Sequence, residues 1–302
     1  MPSCNVDTHR LTMQTNALAE TSYNYQRRWT SVRRILPRPI RRALRMGYFL
    51  MLDGADLCMG KNRDLVPPRC LNPIGDGDFE SAGEEFLDYF TRFGGLQRSH
   101  KVLDVGCGIG RMARPLTRYL TSGAYEGFDI VPAGIRWCQK NFTPRFPNFK
   151  FTLADIRNQE YNAQGLVTAT EYRFPYSDSR FDFAFLTSVF THMLSQEVSH
   201  YLSELHRVLL PDGKCLATFF ILNEESRRLI TAGSSSLDFV HPLAGYWTTN
   251  PAIPETAIAY EEQGLVELLA RNGFKPDSIQ AGRWCGRSEY VSYQDIVVLK
   301  KL

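Results

Sequence analysis

The chain has 302 residues, 43% of them hydrophobic and 22% charged, with a formal net charge of +3. This is the composition of an ordinary globular protein with room for one α/β domain and additions, and it excludes a collagenous or wholly disordered chain. No apolar run approaches the ~20 residues needed to span a bilayer and no apolar leader opens the chain; the seven cysteines form no CxxC pair, and no Cys/His spacing resembles a zinc site, so a cytoplasmic protein without a metal centre is expected.

The small net charge hides an asymmetry. From Thr21 to Leu52 there is no Asp or Glu, while Arg27, Arg28, Arg33, Arg34, Arg38, Arg41, Arg42 and Arg45 supply eight positive charges, which leaves −5 on the rest of the chain. Residues 1 to about 30 are polar and aperiodic and are expected to be disordered. From Ile40 to Leu52 the apolar residues Ile40, Ala43, Leu44, Tyr48 and Met51 fall near helical spacing, with Arg41, Arg42 and Arg45 on the other side. Two readings stay open. Residues 27–45 could meet an anionic membrane surface or partner, or the helix could pack on its own domain with its arginines in water. Pro67, Pro68, Pro73, Gly75 and Gly77 then read as a linker. The expected division is a basic arm over 1–80 and a catalytic domain over 81–302.

Ser81 to Phe93 reads as a helix ended by Gly94-Gly95. Val102 to Val105 reads as a short buried strand, followed by glycines on alternate positions, Gly106, Gly108 and Gly110, and then a helical stripe of Met112, Leu116 and Leu120. Strand, glycine turn and helix open a nucleotide-binding βαβ unit, and the helix start offers free N–H groups to a ligand. Further strands are expected over Ala124–Phe128, Phe149–Ala154, Phe181–Leu186, Lys214–Leu222, Phe274–Gln280 and Tyr290–Leu299. Helices are expected after Pro132, over Ser195–Leu210 and over Glu261–Asn272. Repeated βα units argue for an open doubly wound sheet with its ligand at the strand C-terminal ends.

The glycines alone tolerate two cofactors, since Gly108, Gly110 and Ala113 also fit the nicotinamide pattern G-x-G-x-x-A. Three acids discriminate. Asp104 precedes the first glycine by two residues, where an acid suits a cationic amine and opposes a pyrophosphate. Asp129 ends the second strand, where a carboxylate can take ribose hydroxyls. Asp155 ends the third, where a carboxylate can accept from an exocyclic amine. Each has a plainer alternative: Asp104 could cap the turn, Asp129 could cap the next helix, and Asp155 could be a loop residue.

Here the sequence resembles the class I S-adenosylmethionine-dependent methyltransferases, in particular their bacterial small-molecule branch, over the stretch from Gly83 to Leu302. The motif D-x-G-x-G-x-G is complete at Asp104, Gly106, Gly108 and Gly110, with Cys107 inside it. The resemblance places the ribose acid on Asp129, beside Ile130, and the adenine contacts on Asp155 and Ile156. It places the meeting of methyl donor and acceptor in the block FDFAFLTSVFTHM, which carries Thr187 and His192. It implies a Rossmann-like, doubly wound, mostly parallel seven-stranded sheet whose last strand is antiparallel. Arg111 is a candidate partner for the methionine carboxylate, or a solvated arginine at a helix start.

His192 is the candidate general base, because imidazole titrates near neutral pH; the alternative is a histidine that only shapes the pocket. On that argument O-methylation of a small molecule, such as a natural product, a sugar or a glycan precursor, is favoured over N- or C-methylation. The fourth strand ends in Leu186-Thr187-Ser188-Val189 and lacks the Asn/Asp-Pro-Pro-aromatic sequence that holds a base amine, so a nucleic-acid substrate is not expected. Residues 223–260, with His241, Tyr246 and Trp247, form a long insertion expected to cover the acceptor as a lid. The loop Trp284 to Arg287 could line the same side. The competing readings are a nicotinamide oxidoreductase, an aminopropyl transferase of the same fold and a non-catalytic, partner-binding relative. The oligomeric state stays open.

Overall fold

Runs of consecutive apolar residues become strands buried on both faces, and they set the centre of the sheet. The computed structural model describes residues 38–60, 63–71, 79–158 and 162–302. The N-terminal segment read as disordered, and Arg27, Arg28, Arg33 and Arg34 with it, lie outside these. By its contacts the chain divides into two units, Met1–Asp78 and Phe79–Leu302.

In the first unit, helix α1 spans Arg38–Cys58, with Pro39 in its first turn, where a missing N–H costs nothing. Its two acids are taken up by the segment that follows. Arg69 donates from Nη1 to Asp53 Oδ1 (2.6 Å) and from Nη2 to Asp56 Oδ2 (2.6 Å), and Arg63 pairs with Asp53. Burial pushes the Asp53 carboxyl up, but the bonds from Arg63 and Arg69 outweigh it and hold it below its ordinary value.

The second unit is a βα sandwich. Its elements are α2 (Phe79–Arg92), β1 (Lys101–Val105), α3 (Ala113–Tyr119), β2 (Ala124–Asp129), α4 (Pro132–Asn141), β3 (Phe149–Leu153), β4 (Phe181–Leu186), α5 (Ser195–Val208) and β5 (Leu209–Phe219). Then come β6 (Ile221–Leu222), α6 (Glu224–Thr231), β7 (His241–Leu243), β8 (Tyr246–Thr248), β9 (Ile258–Glu261), α7 (Glu262–Arg271), β10 (Phe274–Gln280) and β11 (Asp295–Lys301).

The main sheet has seven strands in the order β3-β2-β1-β4-β5-β11-β10. Neighbours from β3 to β5 pair in parallel, while β11 runs antiparallel to both β5 and β10. This is the Rossmann-like order with an inverted last strand. The chain reverses direction across the sheet between β1 and β4, so the crevice outside their C-terminal ends is where the fold holds a ligand. The central strands are almost wholly buried. Phe90 of α2 stacks on Phe185 at 4.2 Å between centroids, both without exposure, and Leu202 and Leu205 of α5 close the core. Truncating such a buried phenylalanine to alanine costs about 3–5 kcal/mol.

Three boundaries differ from the sequence expectation. Strand β5 begins at Leu209 and carries Pro211-Asp212-Gly213 within it, with Asp212 at φ 48° and a register shift against β4. The expected turn is therefore an irregularity in a strand. The last strand begins at Asp295 and not at Tyr290. Residues 223–260 hold regular structure: Asn223 caps α6 by accepting from Ser226 N (3.1 Å), and a second sheet runs β6-β9-β8-β7. This sheet has its own apolar cluster of Phe220, Leu222, Phe239, Ala259 and Trp284.

Candidate functional site

The glycine turn leaves β1 over the end of β2. Gly106 N and Cys107 N both donate to Phe128 O (2.9 and 3.0 Å), which pins the turn to the neighbouring strand. Gly106, Gly108 and Gly110 all take left-handed backbone, at φ 82°, 56° and 79°, a region open to glycine at no steric cost. Their surroundings differ. A Cβ on Gly106 would lie 2.5 Å from Val189 Cγ2, and one on Gly110 would lie 2.9 Å from the Phe142 ring, whereas nothing lies within 4 Å of one on Gly108. The middle glycine thus faces open space, and the outer two are packed.

Asp104 and Asp129 flank this turn. Asp104 is 1% exposed. Its Oδ2 accepts from the Tyr125 hydroxyl at 2.6 Å, and its Oδ1 has no partner. Burial pushes its carboxyl up to about 8; the Tyr125 bond pulls the other way, and nearby Asp129 adds to the rise. Asp129 accepts from Gly108 N at Oδ2 and from Val131 N at Oδ1, both at 2.8 Å. Burial raises its pKa, against backbone N–H bonds from Val131, Gly108 and Ile130. It therefore holds the glycine turn and the entry to α4 together, and a carboxylate with about four lone-pair sites keeps acceptor capacity for a hydroxyl.

Other expected contacts fall differently. The Cys107 thiol packs inward beside Gly127, where a Cβ would lie 3.1 Å from its sulfur, and burial pushes the thiol well above its ordinary value. Its N–H is taken by Phe128 O, so Cys107 shapes the turn and offers no free polar group to a ligand. Ile130 is half-buried against the core. Asp155 is exposed beyond the end of β3, and its backbone oxygen accepts from Val167 N (3.1 Å). Ile156 is 3% exposed and bridged to Val167, so its side chain belongs to the core. The Arg111 guanidinium lies 5.7 Å from the Phe79 ring centroid. Thr187 is half-buried just past β4, and Ser188 after it takes φ 57° while its N–H donates to Thr218 Oγ1 (2.8 Å).

That bend sends the chain back over the turn: Val189 covers Gly106, and a 3₁₀ turn over Phe190–His192 follows. His192 Nδ1 lies 2.8 Å from Glu255 O. A carbonyl oxygen only accepts, so Nδ1 carries the proton and Nε2 of the neutral ring keeps the lone pair. Glu255 stands in a 3₁₀ turn, Pro254–Thr256, between β8 and β9. The insertion thereby touches the segment after β4. It does so again where a Cβ on Gly245 would lie 3.5 Å from Ser195 Oγ and where the Tyr260 hydroxyl approaches Met193 O (3.4 Å).

The loop Trp284 to Arg287 does not line this side as expected. Trp284 has no exposure, and its Nε1 donates to Asp295 Oδ2 (2.7 Å). Arg287 donates from Nη1 to Asp295 Oδ1 (3.0 Å) and from Nε to Glu225 Oε2 (2.8 Å). Asp295 also accepts from Gly282 N and Ile221 N (2.7 and 2.8 Å). This buried network ties the insertion to the main sheet, and it joins residues 62 and 74 positions apart that no local pattern connects.

The residues fit S-adenosylmethionine. A buried carboxylate oxygen without a donor suits an ammonium, the space over Gly108 leaves the backbone approachable, and Asp129 retains acceptor capacity for a ribose. A cleft of about 510 Å³ lined by Gly95, His100, Asp182, Asp212 and Lys214 opens elsewhere, at the N-terminal ends of β4 and β5, and shares no residue with this site.

Comparison with known proteins agrees with this geometry. Residues 103–217 match the family model described as a methyltransferase domain. A phthiotriol/phenolphthiotriol dimycocerosates methyltransferase of Mycobacterium leprae is 31% identical over 120 residues, which cover 37% of this chain and 35% of that protein. A fatty-acid O-methyltransferase of Mycolicibacterium smegmatis is 30% identical over 118 residues, 39% of this chain and 36% of that one. The match thus spans about a third of the length of these curated relatives. Among solved structures, the [4+2]-cyclase SpnF superposes with a TM-score of 0.50 at 16% identity, covering 76% of this chain and 84% of that one, which shows the shared fold.

Proposed function

We propose that this chain, whose residues 103–217 match a methyltransferase domain, is a class I S-adenosylmethionine-dependent enzyme that transfers the cofactor's methyl group to an oxygen of a small molecule. The observation that carries the cofactor reading is Asp104, a buried carboxyl with one unpartnered oxygen at the head of the glycine turn. Once ionised, an acid there holds an ammonium and repels a pyrophosphate, which sets this turn apart from a nicotinamide site. When bound, S-adenosylmethionine supplies an electrophilic methyl group on a sulfonium that leaves without needing a proton.

The chain's own part is alignment and proton removal. Asp104 would hold the amine, Asp129 the ribose hydroxyls and the N–H groups of the turn the remaining polar atoms, so that positioning supplies much of the rate. His192, its Nδ1 proton donated to Glu255 O, presents Nε2 as the base. As the acceptor oxygen forms its bond to the methyl carbon and the carbon–sulfur bond breaks, the acceptor's proton passes to Nε2. Glu255 is a positioning residue, acting through its carbonyl. The insertion over residues 223–260 covers the acceptor, a reading supported by its contacts at His192 and Ser195.

The relatives' names point to acceptors that carry long acyl chains, and we extend that class to this chain: an oxygen on a lipid-like small molecule. Three experiments test the reading. Calorimetric titration with S-adenosylmethionine and with NADH is expected to show binding of the first alone; NADH binding in its place overturns the cofactor assignment. Incubating the protein with labelled cofactor and lipid extracts is expected to give a product heavier by one methyl group. His192→Ala is expected to lower turnover about a hundredfold with the cofactor affinity unchanged. Full turnover by that variant at every pH would remove the base.

A further inference from the structure

Helix α1 carries a broad exposed apolar surface. Ile40, Leu44, Met51 and Leu57 are exposed, Leu57 to 70% and Met51 to 64%, and so are Met46 and Leu50. At ~100° per residue these positions span an arc of about 160°. The positions of Arg38, Arg41, Arg42 and Arg45 fall together on the remaining arc, in the first half of the helix. The helix is therefore amphipathic, with its apolar side exposed.

Charge decides what covers it. Over residues 21–52 there are eight arginines and no acid. The only acids within α1, Asp53 and Asp56, are already paired with Arg63 and Arg69. Within the helix, then, no acid is left to balance the arginines, and an anionic surface complements them. A second copy of the helix would bring the same positive charges against these, so self-association through this face is opposed. Among the described residues no helix is long and apolar enough to cross a membrane. A wide apolar arc flanked by arginines, too weakly hydrophobic to span, suits the boundary between headgroups and acyl chains.

We propose that α1 docks this protein on an anionic lipid surface, with Leu44, Met51 and their neighbours in the acyl region and the arginines at the headgroups. Docking keeps the protein beside acyl-chain molecules, but it does not depend on the methyl-transfer reading and is measured without it. The test is co-sedimentation of the full chain with phosphatidylcholine vesicles made with and without phosphatidylglycerol. The wild type is expected to pellet with the anionic vesicles and to stay in solution with the neutral ones. Replacing Arg41, Arg42 and Arg45 by serine is expected to lower the partition coefficient on the order of a hundredfold, at a few-fold per arginine. Leu44→Asp with Met51→Asp is expected to abolish binding while S-adenosylmethionine affinity stays at the wild-type value.

Unchanged vesicle binding by that double variant overturns the proposal. So does pelleting of the wild type without vesicles that the same substitutions disperse, which would mark the face as a self-association surface. A second measurement needs no variant: amide hydrogen exchange over residues 40–58 is expected to slow at least tenfold on anionic vesicles, and unchanged exchange there refutes docking by this helix.

Discussion

The Tyr125 hydroxyl donates to Asp104 Oδ2 at 2.6 Å while Oδ1, equally buried, has no partner. With its pKa raised by burial to about 8, the Asp104 carboxyl keeps its proton in the free folded protein at neutral pH, whereas the unfolded chain loses it near 3.8. The folded state then binds more protons than the unfolded state between about pH 4 and 8. Through this group, stability of the free protein falls as pH rises across that window, by at most about 1.4 kcal/mol per unit. A bound ammonium favours the carboxylate instead. Cofactor binding at pH 7 is therefore expected to release close to one proton, with affinity rising up to about pH 8 and levelling above it. Calorimetry in buffers of different ionisation heats measures the release, and none at pH 7 would show that Asp104 does not meet the amine.

Tyr125→Phe separates the hydroxyl from the ring. The ring stacks on Phe149 at 5.1 Å and stays in place, so the strand is expected to fold as before. Without the donor, Asp104 loses the one bond that lowers its pKa, and its carboxylate forms only at higher pH. Cofactor affinity at pH 7 is expected to fall about tenfold, the worth of one charge-assisted hydrogen bond, and to recover as pH is raised. A pH-independent loss would instead indicate disrupted packing.

Most of the sheet was legible because β1 and β4 are largely runs of buried apolar residues, and the acids Asp104 and Asp129 lie at the C-terminal ends of strands that periodicity alone delimits. The order of strands was not legible from spacing, since pairing is a long-range matter; the family resemblance supplied the antiparallel last strand. Pro211-Asp212-Gly213 read as a turn because its chemistry is that of a turn, and tertiary pairing drew it into β5 as an irregularity. The insertion had no readable pattern because β7 and β8 are three residues each, and their small core is completed by Trp284, which lies far along the chain. Trp284 and Arg287 looked like pocket residues for the same reason: an aromatic and a charge in a loop say nothing of a buried Asp295 waiting for both. The tautomer of His192 was out of reach too, since it depends on a carbonyl 63 positions away.

Gly106 and Gly108 are expected to fail differently when replaced by alanine. Both substitutions put a Cβ on left-handed backbone, which costs about 1–2 kcal/mol. At Gly106 the new atom also meets Val189 Cγ2, so the turn that carries His192 must shift, and both stability and turnover drop. At Gly108 no protein atom is near, and the new methyl group projects into the space assigned to the ligand. Gly108→Ala is expected to lose little more than the backbone cost in denaturant unfolding, yet to lose cofactor affinity at least tenfold by calorimetry. If its affinity stays at the wild-type value, the ligand does not lie over Gly108.

Arg287 tests how the insertion is held. Its guanidinium is 7% exposed by residue and sits against Asp295, which also accepts from Gly282 N, Ile221 N and Trp284 Nε1. Arg287→Met keeps much of the side-chain volume and leaves Asp295 as a buried carboxylate without its cation, a change that costs about 3–5 kcal/mol. Burial already raises the Asp295 pKa and Arg287 opposes that rise, so the variant carboxyl takes a proton more readily. The stability deficit is therefore expected to be largest at high pH and to shrink as the solution is acidified, with Asp295→Asn in the same chain recovering part of it at pH 8. The consequence reaches the site by a short path. Asp295 holds Ile221 at the start of β6, β6 pairs with β9, and the turn before β9 supplies the Glu255 carbonyl that fixes His192. Under conditions where Arg287→Met is still folded, its turnover is expected to fall while S-adenosylmethionine affinity, set by β1 and β2, is retained. Denaturant unfolding at two pH values together with kcat and cofactor Kd separates the two effects; a parallel loss of affinity would mean that the network supports the whole sheet and not the insertion.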